Sequence, residues 1–257
     1  MNRVCHVGLW AIIAGCLCLC LSACKPQAQQ ASQAAAERED QAPVAASSQR
    51  GSADAERGSA DKGRIVAMGD SLTAGLGVLE TQAYPAQLER RLRADGYAFE
   101  VINAGVSGET SSSARTRTAW MLTLQPDIVI LETGANDGLL GVDPSVMQDN
   151  INAIVQALQA KNVVVVLTGM QMVRNLGENY TRAFAQVYSH IAQQYDLIFM
   201  PFFLEGVGGE PEFNQGDGIH PTATGYEIIV ENLYPYVIQA IEKLRIQKKS
   251  KAPKEKP

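Results

Sequence analysis

The chain is 257 residues long, with 46% hydrophobic and 19% charged residues, a balance that excludes a multi-span membrane protein and a wholly disordered chain. Its net charge is −5, and its five cysteines (Cys5, Cys16, Cys18, Cys20 and Cys24) all fall in the first 24 residues. That excludes a disulfide scaffold, a thiolate zinc site and a cysteine nucleophile in the rest of the chain.

Residues 1–23 read as an export signal: Arg3 gives a positive start, and Val7 to Leu21 is an uncharged apolar run, shorter than the about 20 residues that a membrane span needs. The run ends in Leu21-Ser22-Ala23-Cys24, which resembles the bacterial lipobox, so Cys24 is expected to be lipidated and to anchor the chain to a membrane. Lys25 after the cysteine, by resemblance to lipoprotein sorting, implies the outer membrane, facing the periplasm. Residues 24–63 read as a disordered tether: from Lys25 onward they hold 11 Ala, 6 Gln and 5 Ser, and Val44 is the one large apolar side chain.

The domain proper is expected over 64–242, with 9 Lys+Arg against 20 Asp+Glu, and a basic tail over 243–257, with 7 against 1. An acidic domain of this kind argues against nucleic acid as a partner, and the tail reads as a solvated terminus, with contact to anionic lipid as the alternative. Strands are predicted at Arg64–Gly69, Phe99–Ala104, Asp127–Thr133, Val163–Thr168 and Leu197–Phe202. Helices are predicted at Tyr84–Ala94, Thr110–Leu124, Pro144–Lys161, Asn179–Tyr195 and from Pro221 to about Arg245. Such alternation implies a single α/β domain with a parallel sheet between two helical layers, and ligands in such sheets bind at the carboxyl ends of the strands.

Four polar, glycine-bearing segments follow predicted strands and so gather on that edge: Gly69-Asp70-Ser71-Leu72, Ala104 to Gly108, Gly134 to Gly138, and Asp217-Gly218-Ile219-His220-Pro221. A serine becomes a nucleophile when a base lies within hydrogen-bond reach and a third group orients that base. Ser71 stands at a strand-to-helix turn, His220 can take its proton, and Asp217 can reach the other ring nitrogen around a tight turn. The backbone N–H groups of Ser71 and Gly105 and the side-chain amide of Asn136 are candidate donors to a tetrahedral oxyanion, Gly105 because a missing Cβ lets substrate approach.

These blocks, G-D-S-L at 69–72, the Gly105 loop, G-A-N-D at 134–137 and D-G-I-H-P at 217–221, resemble in order the four signature blocks of the SGNH (GDSL) hydrolase superfamily. The resemblance covers 64–240 and is strongest to the branch of thioesterase I, lysophospholipase and arylesterase, where N-D-G-L follows the third strand. It implies a five-stranded flavodoxin-like fold without metal or other cofactor. It also implies Ser71 as nucleophile, Asp217 and His220 as its partners, and Ser71, Gly105 and Asn136 as the oxyanion hole. The expected protein is then a monomeric serine esterase acting on small-molecule esters, thioesters or lysophospholipids.

Blander readings hold for several neighbours. Asp70 and Asp137 fit turn or helix-cap roles, and His190 lies off the apolar face of its helix and is expected in solvent. Leu139, Leu140, Met170 and Met172 sit in loops on the active edge and are candidate substrate-binding residues, whereas Phe202 and Phe203 read equally as core. Competing functions are an acetylesterase of envelope glycans, a metal-dependent phosphoesterase using Asp70, Asp137, Asp217 and His220, and a non-catalytic binding lipoprotein.

Overall fold

The computed structural model describes residues 62–172 and 176–251. The expected signal, Cys24, the tether up to residue 61 and residues 252–257 of the tail lie outside the described residues. The elements run β1 (Lys62–Gly69), α1 (Ser71–Ala74), a 3₁₀ turn (Glu80–Gln82), α2 (Tyr84–Ala94), β2 (Ala98–Gly105), α3 (Ser111–Leu122), β3 (Ile128–Glu132), α4 (Ala135–Leu139), α5 (Pro144–Gln159), β4 (Val164–Thr168), α6 (Glu178–Gln194), β5 (Ile198–Met200) and α7 (Ala223–Lys251). No helix among the described residues is long and apolar enough to cross a membrane.

The strands form one parallel sheet in the order β2-β1-β3-β4-β5. β3 (I-V-I-L-E) and β4 (V-V-V-L-T) are buried at all five positions, as central strands covered on both faces require. α3 packs on α5 and α5 on α6, while α2 packs on α7, giving the expected three-layer α/β/α arrangement. Tyr84 meets Phe203 edge-on at 5.3 Å and Phe184 meets Tyr188 at 5.7 Å, large side chains that fill the two helical layers.

Strand order reverses at β1, which pairs with β2 on one side and β3 on the other, so the carboxyl ends of these strands form the crevice of a doubly wound fold. In register, Gly69 lies beside Gly105, which brings the Ser71 and Gly105 turns side by side.

The expected domain limit at 242 falls inside α7 and is corrected here. Ile241 and Leu244 continue its buried stripe, and Lys and Arg at the last turns suit the negative end of the helix dipole, so the helix runs on through the first nine residues of the expected tail.

Candidate active site

β1 ends at Gly69, and Asp70 caps the four-residue helix that follows: one carboxylate oxygen accepts the Leu72 N–H at 2.9 Å. This places Ser71 on the first helical residue, where its own N–H is one of the amides that a helix start leaves without an intrahelical acceptor. The Ser71 Oγ lies 2.9 Å from His220 Nε2, and His220 Nδ1 lies 2.7 Å from Asp217 Oδ2. The other oxygen of Asp217 accepts the backbone N–H groups of Ile219 at 2.9 Å and His220 at 3.0 Å, so the turn and the side-chain contact are built by one carboxylate.

Those two backbone N–H bonds, followed by the histidine bond itself, hold the Asp217 carboxyl well below the usual carboxylate range. An ionised carboxylate only accepts hydrogen bonds. Nδ1 of neutral His220 therefore carries the ring proton, and Nε2 presents its lone pair to the Ser71 hydroxyl. The loop is fixed to the serine turn from two further directions: Gln215 Nε2 donates to the Leu76 carbonyl at 2.7 Å, and Tyr226 Oη donates to the Leu72 carbonyl at 2.9 Å.

The three expected oxyanion donors lie around this chain with different engagements. Asn136 Nδ2 donates to Asp70 Oδ2 at 3.1 Å and to the Glu109 carbonyl at 3.0 Å, and the Gly105 N–H donates to Asn103 Oδ1 at 3.0 Å. These bonds orient the amides, and an incoming oxyanion competes with them.

Gly105 is small for a reason other than substrate access: a Cβ there would lie 2.2 Å from the Ala74 nitrogen and 2.7 Å from the Thr73 carbonyl carbon. The backbone of α1 packs directly on β2 at this point. Gly105→Ala is accordingly expected to cost about 2–3 kcal/mol of overpacking. Calorimetry should then read a Tm lower by about 5–10 °C in a domain of this size, and an unchanged Tm would contradict this packing.

Beneath the serine turn lies a residue that sequence reasoning missed. Glu132, the last residue of β3, is fully buried; its Oε2 accepts the Asp70 N–H at 3.2 Å and the Thr73 hydroxyl at 2.9 Å, while its Oε1 has no partner among the described residues. Its signal was a charged residue within an apolar run that is covered on both faces. Burial, then the neighbouring Asp70, pushes the Glu132 carboxyl well above its ordinary range; burial likewise pushes Asp70 up to about 6, against the lowering effect of the Leu72 N–H.

A second missed element is the buried bidentate ion pair of Arg117 with Glu109, whose backbone carbonyl holds Asn136. Asp137 turns away to accept the Ser111 N–H at 2.7 Å and hydroxyl at 2.5 Å, a structural role as expected. Asp70 is the predicted cap, and His190 is exposed. Among the described residues no three His, Asp or Glu side chains gather as a metal-ligand set.

Of the candidate substrate residues, Leu139 and Leu140 are exposed on and just after α4, and Met172 is half-buried against Gly138 of the same helix. Met170 is a correction: it is 4% exposed and belongs to the core. Gly169 donates to the Met200 carbonyl at 2.8 Å and accepts from the Phe203 N–H at 2.9 Å, which extends the pairing of β4 and β5 and keeps Met170 in the packed interior. Phe203 is core as well, and Phe202 is half-buried against it.

The profile of the GDSL-like Lipase/Acylhydrolase family matches residues 67–228. Esterase TesA of Pseudomonas aeruginosa is 39% identical over 172 residues, covering 66% of this chain and 86% of that protein. Thioesterase 1/protease 1/lysophospholipase L1 of Escherichia coli K12 is 33% identical over 168 residues, covering 65% of this chain and 79% of that protein. Among solved structures, the psychrotrophic esterase EstA from Pseudoalteromonas sp., inhibited by monoethylphosphonate, superposes with a TM-score of 0.67 at 29% identity over 70% of this chain and 99% of that one. With its four blocks placed at one sheet edge and a matching profile across most of the described residues, the chain belongs to the GDSL-like Lipase/Acylhydrolase family.

Proposed function

We propose that the chain is a serine esterase that hydrolyses carboxylic ester or thioester bonds through an acyl-enzyme on Ser71. His220 Nε2 takes the hydroxyl proton as Ser71 Oγ attacks the carbonyl carbon, and Asp217 stabilises the imidazolium that forms. The Ser71 and Gly105 N–H groups and the Asn136 amide receive the oxyanion; each such donor contributes on the order of 10²–10³ in rate. His220 then gives its proton to the leaving alcohol or thiol, and water repeats the sequence on the acyl-enzyme. The observation that carries this reading is the unbroken chain from Asp217 Oδ2 through His220 to Ser71 Oγ, with contacts of 2.7 and 2.9 Å, at the carboxyl edge of the sheet.

Exposed apolar side chains on the same edge (Leu76, Leu79, Val106, Leu139, Leu140, Ile219) favour esters with an apolar acyl or aryl part, including lysophospholipids. Relatives named esterase and thioesterase/lysophospholipase support the same class. Lipidation at Cys24 and a place on the outer membrane facing the periplasm complete the proposal, on the lipobox-like sequence and Lys25 alone.

Turnover of 4-nitrophenyl esters from acetate to palmitate tests it, together with mass spectrometry after treatment with a fluorophosphonate, which should add one adduct to the peptide containing Ser71. No turnover at any chain length, or an adduct elsewhere, would sink the proposal. A strict preference for acetate would move the substrate class toward acetylated glycans.

A further inference from the structure

The active edge of the sheet is acidic, and the opposite edge carries the basic end of α7. On the active edge, the described segments that follow the strands (70–83, 106–110, 133–143, 169–172, 176–177 and 201–222) hold nine Asp or Glu and no Lys or Arg. The last nine residues of α7, 243–251, hold Lys243, Arg245, Lys248, Lys249 and Lys251 and no acidic residue, and Glu242 just before them pairs with Arg245. Three contacts fix those turns beneath the amino-terminal edge. Lys243 Nζ donates to the Asp196 carbonyl at 2.8 Å ahead of β5, Arg245 stands 5.6 Å over the Tyr97 ring ahead of β2, and Lys248 pairs with Asp127 at 2.9 Å ahead of β3.

Lys249 and Lys251 are exposed and have no partner among the described residues. Two exposed apolar side chains accompany them: Ile246 on α7, and Trp120 on the last turn of α3, whose exit is held to the same edge by Arg64 donating to the Leu124 carbonyl at 2.6 Å. β1 also begins on this edge, at Lys62.

We infer that this edge is a docking surface for an anionic phospholipid bilayer, and that docking holds the Ser71 edge away from the membrane. Lysines and Ile246 on α7, with an amphipathic Trp at the same edge on the other helical layer, fit an anionic headgroup layer, where each cation near the surface adds affinity. The eight residues of β1 separate the edges by about 26 Å. Salt screens charge beyond about 8–10 Å, so the acidic edge does not cancel the attraction. At that height Ser71 meets substrates in the aqueous phase. The inference stands on charge and geometry and does not depend on lipidation or on the esterase reading.

The described residues fall within one compact unit, and the match to EstA covers 99% of that chain, so residues 47–257 serve as the test protein. Sedimentation with vesicles of phosphatidylcholine alone and of phosphatidylcholine with about one-third phosphatidylglycerol should give binding only to the second, released in about 0.5 M NaCl. Lys248→Gln/Lys249→Gln/Lys251→Gln should weaken that binding by about fivefold per lysine, on the order of a hundredfold in all. Turnover of soluble esters by the triple variant should be unchanged, which separates this test from that of the esterase proposal.

Because residues 47–257 contain no cysteine, single labels report orientation: a probe at Lys249→Cys should be quenched by bilayer-borne quencher and one at Glu210→Cys on the active edge should not. Equal binding to both vesicle types, a triple variant that binds like wild type, deeper quenching at position 210, or self-association that persists without vesicles and accounts for sedimentation would each overturn the inference.

Discussion

Ser71→Ala and His220→Ala are each expected to lower kcat for a 4-nitrophenyl ester by about 10⁶-fold, and the double variant by no more than either alone, because the pair acts as one unit. The 2.9 Å contact states why: without Nε2 the hydroxyl has no acceptor for its proton, and without the hydroxyl the base has nothing to activate. Losses that multiplied in the double variant would contradict a shared role.

Asp217→Asn is expected to cost about 10⁴-fold by a separate route. Oδ1 of Asp217 takes two backbone N–H groups, so an asparagine would keep its carbonyl there and turn its NH₂ toward His220 Nδ1. A donor facing Nδ1 drives the ring proton onto Nε2, the nitrogen that must be free to accept from Ser71. The fold would be intact, and near-wild-type binding of an unreactive ester analogue would mark the loss as one of kcat.

Much of this site was legible because its chemistry lies in loops after strands, where glycine and polar residues interrupt apolar runs. Ser71, Asp217 and His220 each stand out against such a run, and the parallel alternation brings the loops to one edge. The short helices α1 and α4 were not legible: four and five residues give no apolar period, and both are set by local features, the Asp70 cap in one and Gly134 at φ +106° in the other. A Cβ at Gly134 would also lie 2.5 Å from the Tyr188 hydroxyl, a tertiary fact with no local trace. Met170 misled because it follows a strand, as site residues do, while the chain past β4 still pairs with the neighbouring segment. The reason for a glycine at 105 was not legible either, since spacing shows that a side chain is missing and only packing shows what occupies its place. The reach of α7 to Lys251 was hidden by composition, because a run of lysines reads as solvated tail although one buried leucine keeps it helical.

Glu132 supports the serine turn, and its variants should separate a positioning residue from a catalytic one. Glu132→Leu leaves the Asp70 N–H buried without its acceptor and the Thr73 hydroxyl with only the long 3.4 Å contact to Tyr84 Oη, at a cost of about 2–4 kcal/mol. Differential scanning calorimetry should read this as a Tm lower by about 5–15 °C. Glu132→Gln keeps an acceptor oxygen in place and resembles the neutral acid, so its kcat should stay within about tenfold of wild type, the range of a modest geometric shift.

The pH dependence gives the sharper readout. Asp70 and Glu132 both carry carboxyls raised above their unfolded values by burial, Asp70 from 3.8 to about 6. Between those values the folded chain binds more protons than the unfolded chain, so this pair loses stability as pH rises through the window, the opposite sign to a salt-bridged carboxylate. Asp217, whose carboxyl is depressed, acts the other way and loses its contribution as pH falls through its folded value. In Glu132→Gln one of the two raised carboxyls is gone, so the Tm of the variant relative to wild type should climb as pH rises from about 4 to 7. A difference that stayed flat would show that Glu132 is not held as a neutral acid beneath Asp70. Equal loss of kcat in the Gln and Leu variants would instead assign the carboxyl proton itself to the reaction.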